Sequence, residues 1–148
     1  MDAATLSIGK VCTESLDATR AKSLLEAAFG RKLRDSYKLQ GEYALVAGNY
    51  DAMALVKKTP LASYLDKFAV APSLQGNGMG KKLWKTLCKT ENKLFWRSKK
   101  SNPINEWYEK KADGKAARGK WVVYWKNLNG EEAKKVILFA ALLPESFE

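Results

Sequence analysis

The chain has 148 residues, enough for one globular domain, and its 46% hydrophobic and 28% charged residues exclude an intrinsically disordered protein. No stretch approaches the ~20 apolar residues of a membrane span, and the absence of histidine excludes Ser-His-Asp and Cys-His catalysis. The net charge is +10, and fourteen basic against four acidic residues lie within 81–126. Such a segment favours a polyanionic partner or cofactor, with a solvated lysine face as the alternative.

The N-terminal segment and the cysteines bear on the cellular compartment. Residues 1–5 include an acidic residue and lack a long apolar run, so we predict no signal peptide. Cys12 and Cys88 are far apart and form no metal-binding motif. This spacing favours two reduced thiols in a cytosol-like compartment and no bound metal.

Hydrophobic periodicity predicts an alternation of helices and strands that suits a mixed α/β domain. The first helix spans 16–29 and ends at Gly30. The remaining predicted elements are strands 43–47, 52–57 and 64–71, helix 79–92, strand 94–98, helix 106–111, loop 113–119, strand 121–125 and helix 131–143, with a strand at 136–139 as an alternative. The order is not the regular alternation of a doubly wound sheet.

A glycine loop joins the third strand to the second helix and carries the strongest functional signal. It reads Gln75-Gly76-Asn77-Gly78-Met79-Gly80. Alternating glycines at a helix N-terminus leave backbone N–H groups open to phosphate oxygens, with a favourable helix dipole. The alternative is a tight turn without a ligand, and the spacing is not a dinucleotide-binding fingerprint. The loop resembles the acyl-CoA pyrophosphate loop of the GCN5-related N-acetyltransferases.

A basic and aromatic stretch from Phe95 to Tyr108 follows that helix. Arg97 and Lys99 are two residues apart and share one face if the segment is a strand. An arginine fork suits a carboxylate, whereas cations between aromatic residues also suit single-stranded nucleic acid. In the preceding strand, Lys67 follows Asp66 and, taken alone, favours an outward-facing ion pair. The residues alone leave these interpretations open.

Several motifs together resemble one family, the acetyltransferase domain of vertebrate-like N-acetylglutamate synthases and bifunctional synthase-kinases. The resemblance runs from about residue 50 to residue 147 and is carried by Tyr64-Leu65-Asp66-Lys67-Phe68, the glycine loop, Leu94-Phe95-Trp96-Arg97-Ser98, Asn102-Pro103-Ile104-Asn105 and Trp107-Tyr108. It implies a single N-acetyltransferase domain over 1–148, with the GCN5-related fold of a mixed central sheet flanked by helices. It also implies transfer of acetyl from acetyl-CoA to the α-amine of L-glutamate.

The resemblance also implies roles for individual residues. The catalytic tyrosine falls on Tyr108, and the glutamate-binding positions fall on Lys67, Arg97, Lys99 and Asn102, where Lys99 replaces an arginine of the family. The cofactor positions are the strand residues Phe68, Ala69 and Val70 and the loop residues Gln75, Gly76, Asn77, Gly78, Met79 and Gly80. In the expected direct attack, Tyr108 protonates the leaving thiolate and a backbone N–H between Lys67 and Val70 stabilises the thioester oxygen.

The expected partners are acetyl-CoA and L-glutamate, with no membrane. In the family an amino-acid-kinase domain usually precedes this one, and a homodimer is one arrangement left open. The compartment would be the cytoplasm for a bacterial chain or the mitochondrial matrix for a eukaryotic one. One rival hypothesis is a regulatory acetyltransferase-like domain of an acetylglutamate kinase. A basic nucleic-acid-binding module is the least favoured.

Overall fold

The computed structural model describes residues 7–148, so the expectation about residues 1–5 lies outside the described residues. The four α-helices are α1 Ala18–Phe29, α2 Met79–Thr90, α3 Asn105–Lys111 and α4 Gly130–Ala141. The seven strands are β1 Ile8–Cys12, β2 Tyr43–Ala47, β3 Ala52–Lys58, β4 Ser63–Val70, β5 Leu94–Lys99, β6 Gly114–Arg118 and β7 Trp121–Lys126. Within this part of the chain, no helix combines the length and the apolar content that crossing a membrane requires.

The strands hydrogen-bond in the order β1-β2-β3-β4-β5-β7-β6. The pairs β1–β2, β2–β3, β5–β7 and β6–β7 are antiparallel, whereas β4 and β5 run parallel with Ser63 opposite Leu94 and Tyr64 opposite Phe95. The parallel pair requires a crossover connection, and α2 supplies it between β4 and β5. The mixed α/β fold predicted from the sequence is confirmed.

The chain divides into two compact units, and β4 contributes to both. Unit 1 comprises the described part of Met1–Lys57 together with Asp66–Thr90 and Glu145–Glu148. Unit 2 comprises Lys58–Leu65 and Glu91–Pro144.

Unit 1 is built around α1 and the strands β1 to β3. Asp17 caps α1 by accepting a hydrogen bond from the Arg20 N–H at 3.2 Å, and Gly30 ends the helix in the left-handed conformation with φ 65°. The helix buries its apolar face against the sheet, and this core includes Ala21, Leu24, Leu25, Ala44, Val46, Met53, Leu55 and Ala69. The predicted helix start at 16 was two residues early, because Thr13–Ser15 forms a separate 3-10 turn.

Unit 2 is built around β5, β6, β7 and the helix α4. Asn129 and Glu132 form a capping box that starts α4, with the Glu132 N–H donating to Asn129 at 2.9 Å. Val136 and Ala140 on α4 pack against Tyr64, Phe95 and Val123. Because burial follows the helical spacing, the alternative of a strand at 136–139 is wrong.

The predicted loop at 113–119 was also wrong, since these residues contain β6. The small residues that suggested a loop suit an edge strand beside a large ring. A Cβ on Gly114 would lie 2.5 Å from Cζ2 of Trp125, the residue opposite it on β7. β6 was missed because its alternation is weak and its pairing with β7 decides its conformation. The strand β1 was likewise not predicted.

Candidate functional site

The glycine loop, residues Gln75–Gly80, lies in unit 1 between the end of β4 and the start of α2. Gly76 and Gly78 adopt φ 87° and 89°, a conformation that residues with a Cβ rarely reach. Gln75 Nε2 donates to the Val70 carbonyl at 3.1 Å and ties the loop back to the strand. Every second residue of this turn therefore lacks a Cβ atom, and the turn leads into the N-terminus of a twelve-residue helix.

The strand β4, which precedes the glycine loop, is largely buried and packs against α2, so both ends of the loop are held in place. Phe68 packs edge-on against Trp84 of α2, with ring centroids 5.6 Å apart. A Cβ on Gly80 would be 3.6 Å from a methyl group of Val70, which is ordinary contact. The first turn of α2 has no acidic residue and contains Lys81 and Lys82. The helix start thus combines backbone N–H groups with positive side chains, which suits a phosphate, and its Met79 N–H donates to the Asn77 side-chain oxygen at 3.3 Å.

Lys67 is buried in unit 1, with 8% of its surface exposed, at the centre of what we call the lysine cluster. The cluster comprises Tyr37, Lys57, Asp66, Lys67, Ser146 and Phe147. The Lys67 ammonium donates to the Asp66 carboxylate and carbonyl, both at 3.1 Å, and to the Ser146 hydroxyl at 2.8 Å. Lys67 therefore pairs with Asp66, as the sequence suggested for it alone, but inside the protein and not on its surface.

The partners of Asp66 keep its carboxyl group ionised. Burial alone would raise the pKa of Asp66, but the charges of Lys67 and Lys57 and the hydrogen bond from Tyr37 lower that pKa below its usual value. Lys57 Nζ lies 3.5 Å from the carboxylate, and the Tyr37 hydroxyl donates to it at 2.8 Å. The Lys67 ammonium also lies 5.0 Å from the Tyr37 ring and 5.7 Å from the Phe147 ring.

Arg97 lies in unit 2, where its guanidinium group binds backbone carbonyls. One terminal nitrogen donates to Ala140 at 2.9 Å and Leu143 at 2.8 Å, and the other donates to Pro144 at 2.7 Å. The group lies over the Trp121 ring, 3.8 Å from its centroid. Arg97 therefore also anchors the C-terminal end of α4.

Lys99 and Asn102 lie at the end of β5 in the same unit. The Lys99 ammonium lies 5.9 Å from the Trp121 ring that Arg97 covers. Asn102 donates its N–H to the Lys99 carbonyl at 3.0 Å, and its side-chain oxygen accepts from the Ile104 N–H at 3.2 Å. These bonds shape the turn into α3, and the Asn105 side chain strengthens it by donating to the Lys99 carbonyl at 2.8 Å.

Tyr108 on α3 is 6% exposed and contacts an aromatic cluster in unit 2. Its ring centroid lies 5.5 Å from both Trp96 and Tyr124. Burial raises the pKa of the Tyr108 phenol, and the nearby Tyr124 raises it further. The hydroxyl therefore keeps its proton throughout the neutral range and can donate it.

The two faces of β5 separate the candidate residues of unit 2. Arg97 shares a face with Phe95, whose ring packs against Phe139 of α4. Trp96, on the other face, packs against Tyr108. The Arg97 side chain and the Tyr108 ring therefore belong to opposite faces of β5.

Sequence reasoning missed three partners of the predicted residues: Trp121 beside Arg97, and Tyr37 and Ser146 beside Lys67. No local pattern marks them, since Ser146 is 79 positions from Lys67 and Tyr37 is 29 positions from Asp66. The family resemblance extends to residue 147, and this was the one sequence feature that could have pointed to Ser146.

The comparison with protein families identifies the class. The family model described as the N-acetyltransferase of N-acetylglutamate synthase matches residues 8–141. The chain therefore belongs to this N-acetyltransferase family.

Sequence relatives support the same family. The chain is 38% identical to the mitochondrial N-acetylglutamate synthases of Danio rerio, over 142 residues, and Homo sapiens, over 144 residues. These matches cover 90% of this chain and 27% of each relative, so the chain spans about a quarter of their length. It is also 36% identical to an acetylglutamate kinase of Xanthomonas campestris, with 80% of this chain and 30% of the relative covered.

Solved structures show the acetyltransferase fold. The ribosomal-protein-S18-alanine N-acetyltransferase of Escherichia coli matches with a TM-score of 0.65 and 18% identity, covering 85% of this chain and 97% of that one. The PaiA N-acetyltransferase of Thermoplasma acidophilum, solved with coenzyme A, matches with a TM-score of 0.66 and 12% identity, covering 84% and 99%. The fold implied by the sequence resemblance is confirmed.

Proposed function

We propose that residues 1–148 act as one N-acetyltransferase domain that moves acetyl from acetyl-CoA to the α-amine of L-glutamate. The observation that carries the proposal is the family match over residues 8–141. The glycine loop supports it, because a turn with alternating glycines at a helix N-terminus suits the cofactor pyrophosphate. The relatives named for N-acetylglutamate synthesis support glutamate as the acceptor.

The cofactor occupies the glycine loop and the end of β4 in this proposal. The N–H groups of Gln75–Gly80 bind the pyrophosphate, while the strand residues Phe68, Ala69 and Val70 bind the pantetheine arm and the thioester. A backbone N–H between Lys67 and Val70 donates to the thioester oxygen as it gains negative charge. The positive residues at the start of α2 add attraction for the phosphates.

Glutamate brings two carboxylates, and Lys67, Arg97, Lys99 and Asn102 supply the donors. A guanidinium group has five N–H donors, and Arg97 uses three of them on carbonyls. The remaining two are available to a carboxylate, so Arg97 combines an anchoring role with a binding role. Lys67 and Lys99 act as point charges, since an ammonium lacks the planar fork.

The chemical step is a direct attack of the neutral amine on the thioester carbonyl. The new C–N bond forms, the C–S bond breaks, and the coenzyme A thiolate takes the proton of the Tyr108 hydroxyl. The amine nitrogen releases its own proton to water, which restores the tyrosine. The phenol of Tyr108 is protonated at neutral pH and so has a proton to give, although burial raises its pKa and makes it a weaker acid than an exposed tyrosine.

The proposal extends to partners and compartment. An amino-acid-kinase domain is an expected partner because the relatives named acetylglutamate kinase are more than three times as long as the matched region. A homodimer is a further expected assembly. The compartment is the mitochondrial matrix for a eukaryotic chain and the cytoplasm for a bacterial one, and the names of the eukaryotic relatives, which include the word mitochondrial, support the first.

A regulatory domain of an acetylglutamate kinase is the second candidate, favoured by the relatives of that name. A thiol-release assay with acetyl-CoA and each of the twenty amino acids separates the two functions. We expect thiol release with glutamate, and mass spectrometry should identify N-acetylglutamate. Acetyl-CoA binding without thiol release from any amino acid would support the regulatory function.

A further inference from the structure

The indole ring of Trp121 covers one face of the Arg97 guanidinium group. The central carbon of that group lies 3.8 Å from the ring centroid, which is the distance of a cation–π pair in van der Waals contact. In the register of β5 with β7, Trp121 lies opposite Lys99, two residues beyond Arg97. Trp121 is therefore a diagonal neighbour of Arg97 across the two strands, and long side chains reach each other at such positions.

The hydrogen bonds of Arg97 leave one edge of its guanidinium group unused. Nη1 donates to the carbonyls of Ala140 and Leu143, and Nη2 donates to the carbonyl of Pro144. Within residues 7–148, the Nε–H and one N–H of Nη2 make no hydrogen bond. These two donors belong to one edge of the planar group, and such a pair can form the two bonds of an arginine fork with a carboxylate. Arg97 is half-buried, so part of its side chain stays accessible to a ligand.

The ring and the carbonyls restrict the guanidinium group in different directions. The carbonyls of Ala140, Leu143 and Pro144 accept hydrogen bonds in its plane, whereas the indole blocks one face of that plane. An anion is thereby directed to the edge that carries Nε. The ring also excludes water from the face that it covers, and a less hydrated charge attracts a carboxylate more strongly.

Two lysines lie near the same ring. The ammonium groups of Lys99, at the end of β5, and Lys120, just before β7, are each 5.9 Å from the ring centroid. The negative π surface of an indole attracts such groups, which reduces the cost of holding like charges close together. The ring therefore favours the gathering of cations beside Arg97.

We propose that Trp121 is a positioning residue for substrate recognition, which holds the Arg97 guanidinium group so that its Nε edge receives a carboxylate of glutamate. The inference rests on the proposed function, which assigns Arg97 to glutamate. Trp121 needs no contact with the substrate, because it acts through Arg97.

The first test compares Trp121→Leu and Trp121→Phe with the wild type. Both variants lose the indole, but only phenylalanine keeps an aromatic face beside the guanidinium group. Trp121→Leu should raise the glutamate KM about fivefold, because Arg97 then has to be ordered when the substrate binds. The kcat and the acetyl-CoA affinity should stay unchanged, and Trp121→Phe should restore most of the glutamate KM.

A double-mutant cycle tests whether Trp121 acts through Arg97. In the Arg97→Ala background, Trp121→Leu should change the glutamate KM by less than about twofold, because the group that the ring positions is absent. Trp125→Leu is the control for lost packing on β7. It removes an indole from the same face of the strand, where the ring lies against Gly114, and it should keep the wild-type glutamate KM. Denaturant unfolding checks that each variant is folded.

Three results would overturn the inference. The first is an unchanged glutamate KM in folded Trp121→Leu. The second is an equal rise in KM in Trp121→Phe or in Trp125→Leu, which would indicate lost packing and not a lost aromatic face beside Arg97. The third is a full effect of Trp121→Leu in the Arg97→Ala background, which would mean that the ring acts independently of Arg97.

Calorimetry of glutamate binding with coenzyme A present separates a failure of this inference from a failure of the proposed function. A wild type that binds glutamate without turnover contradicts the proposed synthesis, and weaker binding in Trp121→Leu would still support the inference. Turnover with the same glutamate affinity in Trp121→Leu overturns the inference alone. A wild type that does not bind glutamate overturns both.

Discussion

The phenol of Tyr108 shows how burial sets the chemistry of a single residue. The buried Tyr108 ring packs in an aromatic cluster with Trp96 and Tyr124, where a phenolate would be poorly solvated. Its raised pKa means that deprotonation occurs at a higher pH than for an exposed tyrosine. This residue can therefore serve as a proton donor and cannot serve as a base at neutral pH.

Tyr108→Phe should lower turnover by about 10- to 10⁴-fold, because the variant keeps the ring and loses the proton donor. The affinities for acetyl-CoA and glutamate should change little. Tyr124→Phe is the matched control, since it removes a hydroxyl from the same cluster and should preserve turnover. Steady-state kinetics checks the prediction, and unaffected turnover in Tyr108→Phe would make Tyr108 a packing residue.

The pH profile gives an independent check on Tyr108. The protonated form is the active form, and its raised pKa lies above the usual ~10 of tyrosine. Activity that depends on this proton should thus persist as the pH rises through 10 and fall only above it. The measurement is the dependence of the wild-type kcat on pH between pH 7 and 11. A loss of kcat centred well below pH 10 would have to come from the titration of another group.

Arg97 combines a structural role with a proposed binding role, and substitution should affect both. Arg97→Ala should reduce the free energy of unfolding by about 2–4 kcal/mol, because three carbonyls lose their donor. It should also raise the glutamate KM about tenfold or more, with acetyl-CoA affinity retained. Denaturant unfolding, glutamate titration and calorimetry measure the three quantities.

Two further variants make the Arg97 result specific. Arg97→Lys should recover only part of both losses, because an ammonium cannot reproduce the planar fork. Arg118→Ala removes an exposed arginine from β6 and should change the free energy of unfolding by no more than about 0.5 kcal/mol. Loss of acetyl-CoA binding with an unchanged glutamate KM in Arg97→Ala would move Arg97 to the cofactor phosphates.

At the scale of elements, the passage from β4 to α2 forms the proposed cofactor site. The strand ends, a short 3-10 turn follows at Pro72–Leu74, and two glycines with positive φ lead into the helix. Each part depends on residues close in sequence, which is why the strand, the glycine loop and the helix could be predicted, although the 3-10 turn was not. Because the loop itself contains no cationic side chain, its backbone N–H groups are the donors on which phosphate binding there depends.

Gly78→Asp should weaken acetyl-CoA binding by at least about tenfold, because it adds bulk and negative charge beside the pyrophosphate. The control is Gly119→Asp in the β6–β7 turn, where the glycine also has a positive φ of 59° and open space around it. That variant carries the same change in charge and a similar backbone cost, and it should retain the affinity. Calorimetry with folded proteins measures both, and equal affinities would reject the loop as the phosphate site.

The pairing of elements was less predictable than their presence. The strand β6 forms because its backbone bonds to β7 from Gly114 opposite Trp125 to Arg118 opposite Trp121. Its own residues favour a loop, since glycine and alanine have low strand propensity. The long-range pairing outweighs the local preference, so a prediction from local pattern fails at this element.

At the scale of the whole molecule, the net charge of +10 favours an anionic ligand such as one that bears phosphates. Most of the excess charge lies within 81–126, a segment that begins in the first turn of α2 and continues through β5 and α3. This positive charge predicts that anions are attracted to the protein, but it does not identify which anion binds. A phosphate-bearing ligand that fits the glycine loop should bind the folded protein and not the unfolded chain.

Acetyl-CoA should therefore raise the unfolding temperature. A ligand at a hundredfold excess over its Kd stabilises the folded protein by about 2.7 kcal/mol, which corresponds to roughly 5–10 °C for a chain of this size. Acetyl-pantetheine, which lacks the pyrophosphate, is the control and should produce a much smaller shift. Thermal denaturation measures the effect, and a shift with oligonucleotides but none with acetyl-CoA would favour nucleic-acid binding.

The strand, glycine loop and helix of the proposed cofactor site, and the membership in the family, could be predicted from the sequence because these signals are local or lie in short motifs. Only the tertiary structure revealed the surroundings of the charged residues. It brings Ser146 to Lys67 across 79 positions and the carbonyls of Ala140 to Pro144 to Arg97 across more than 40 positions. The physical reason is that a side chain's polar partners depend on how the elements pack, which no short stretch of sequence encodes.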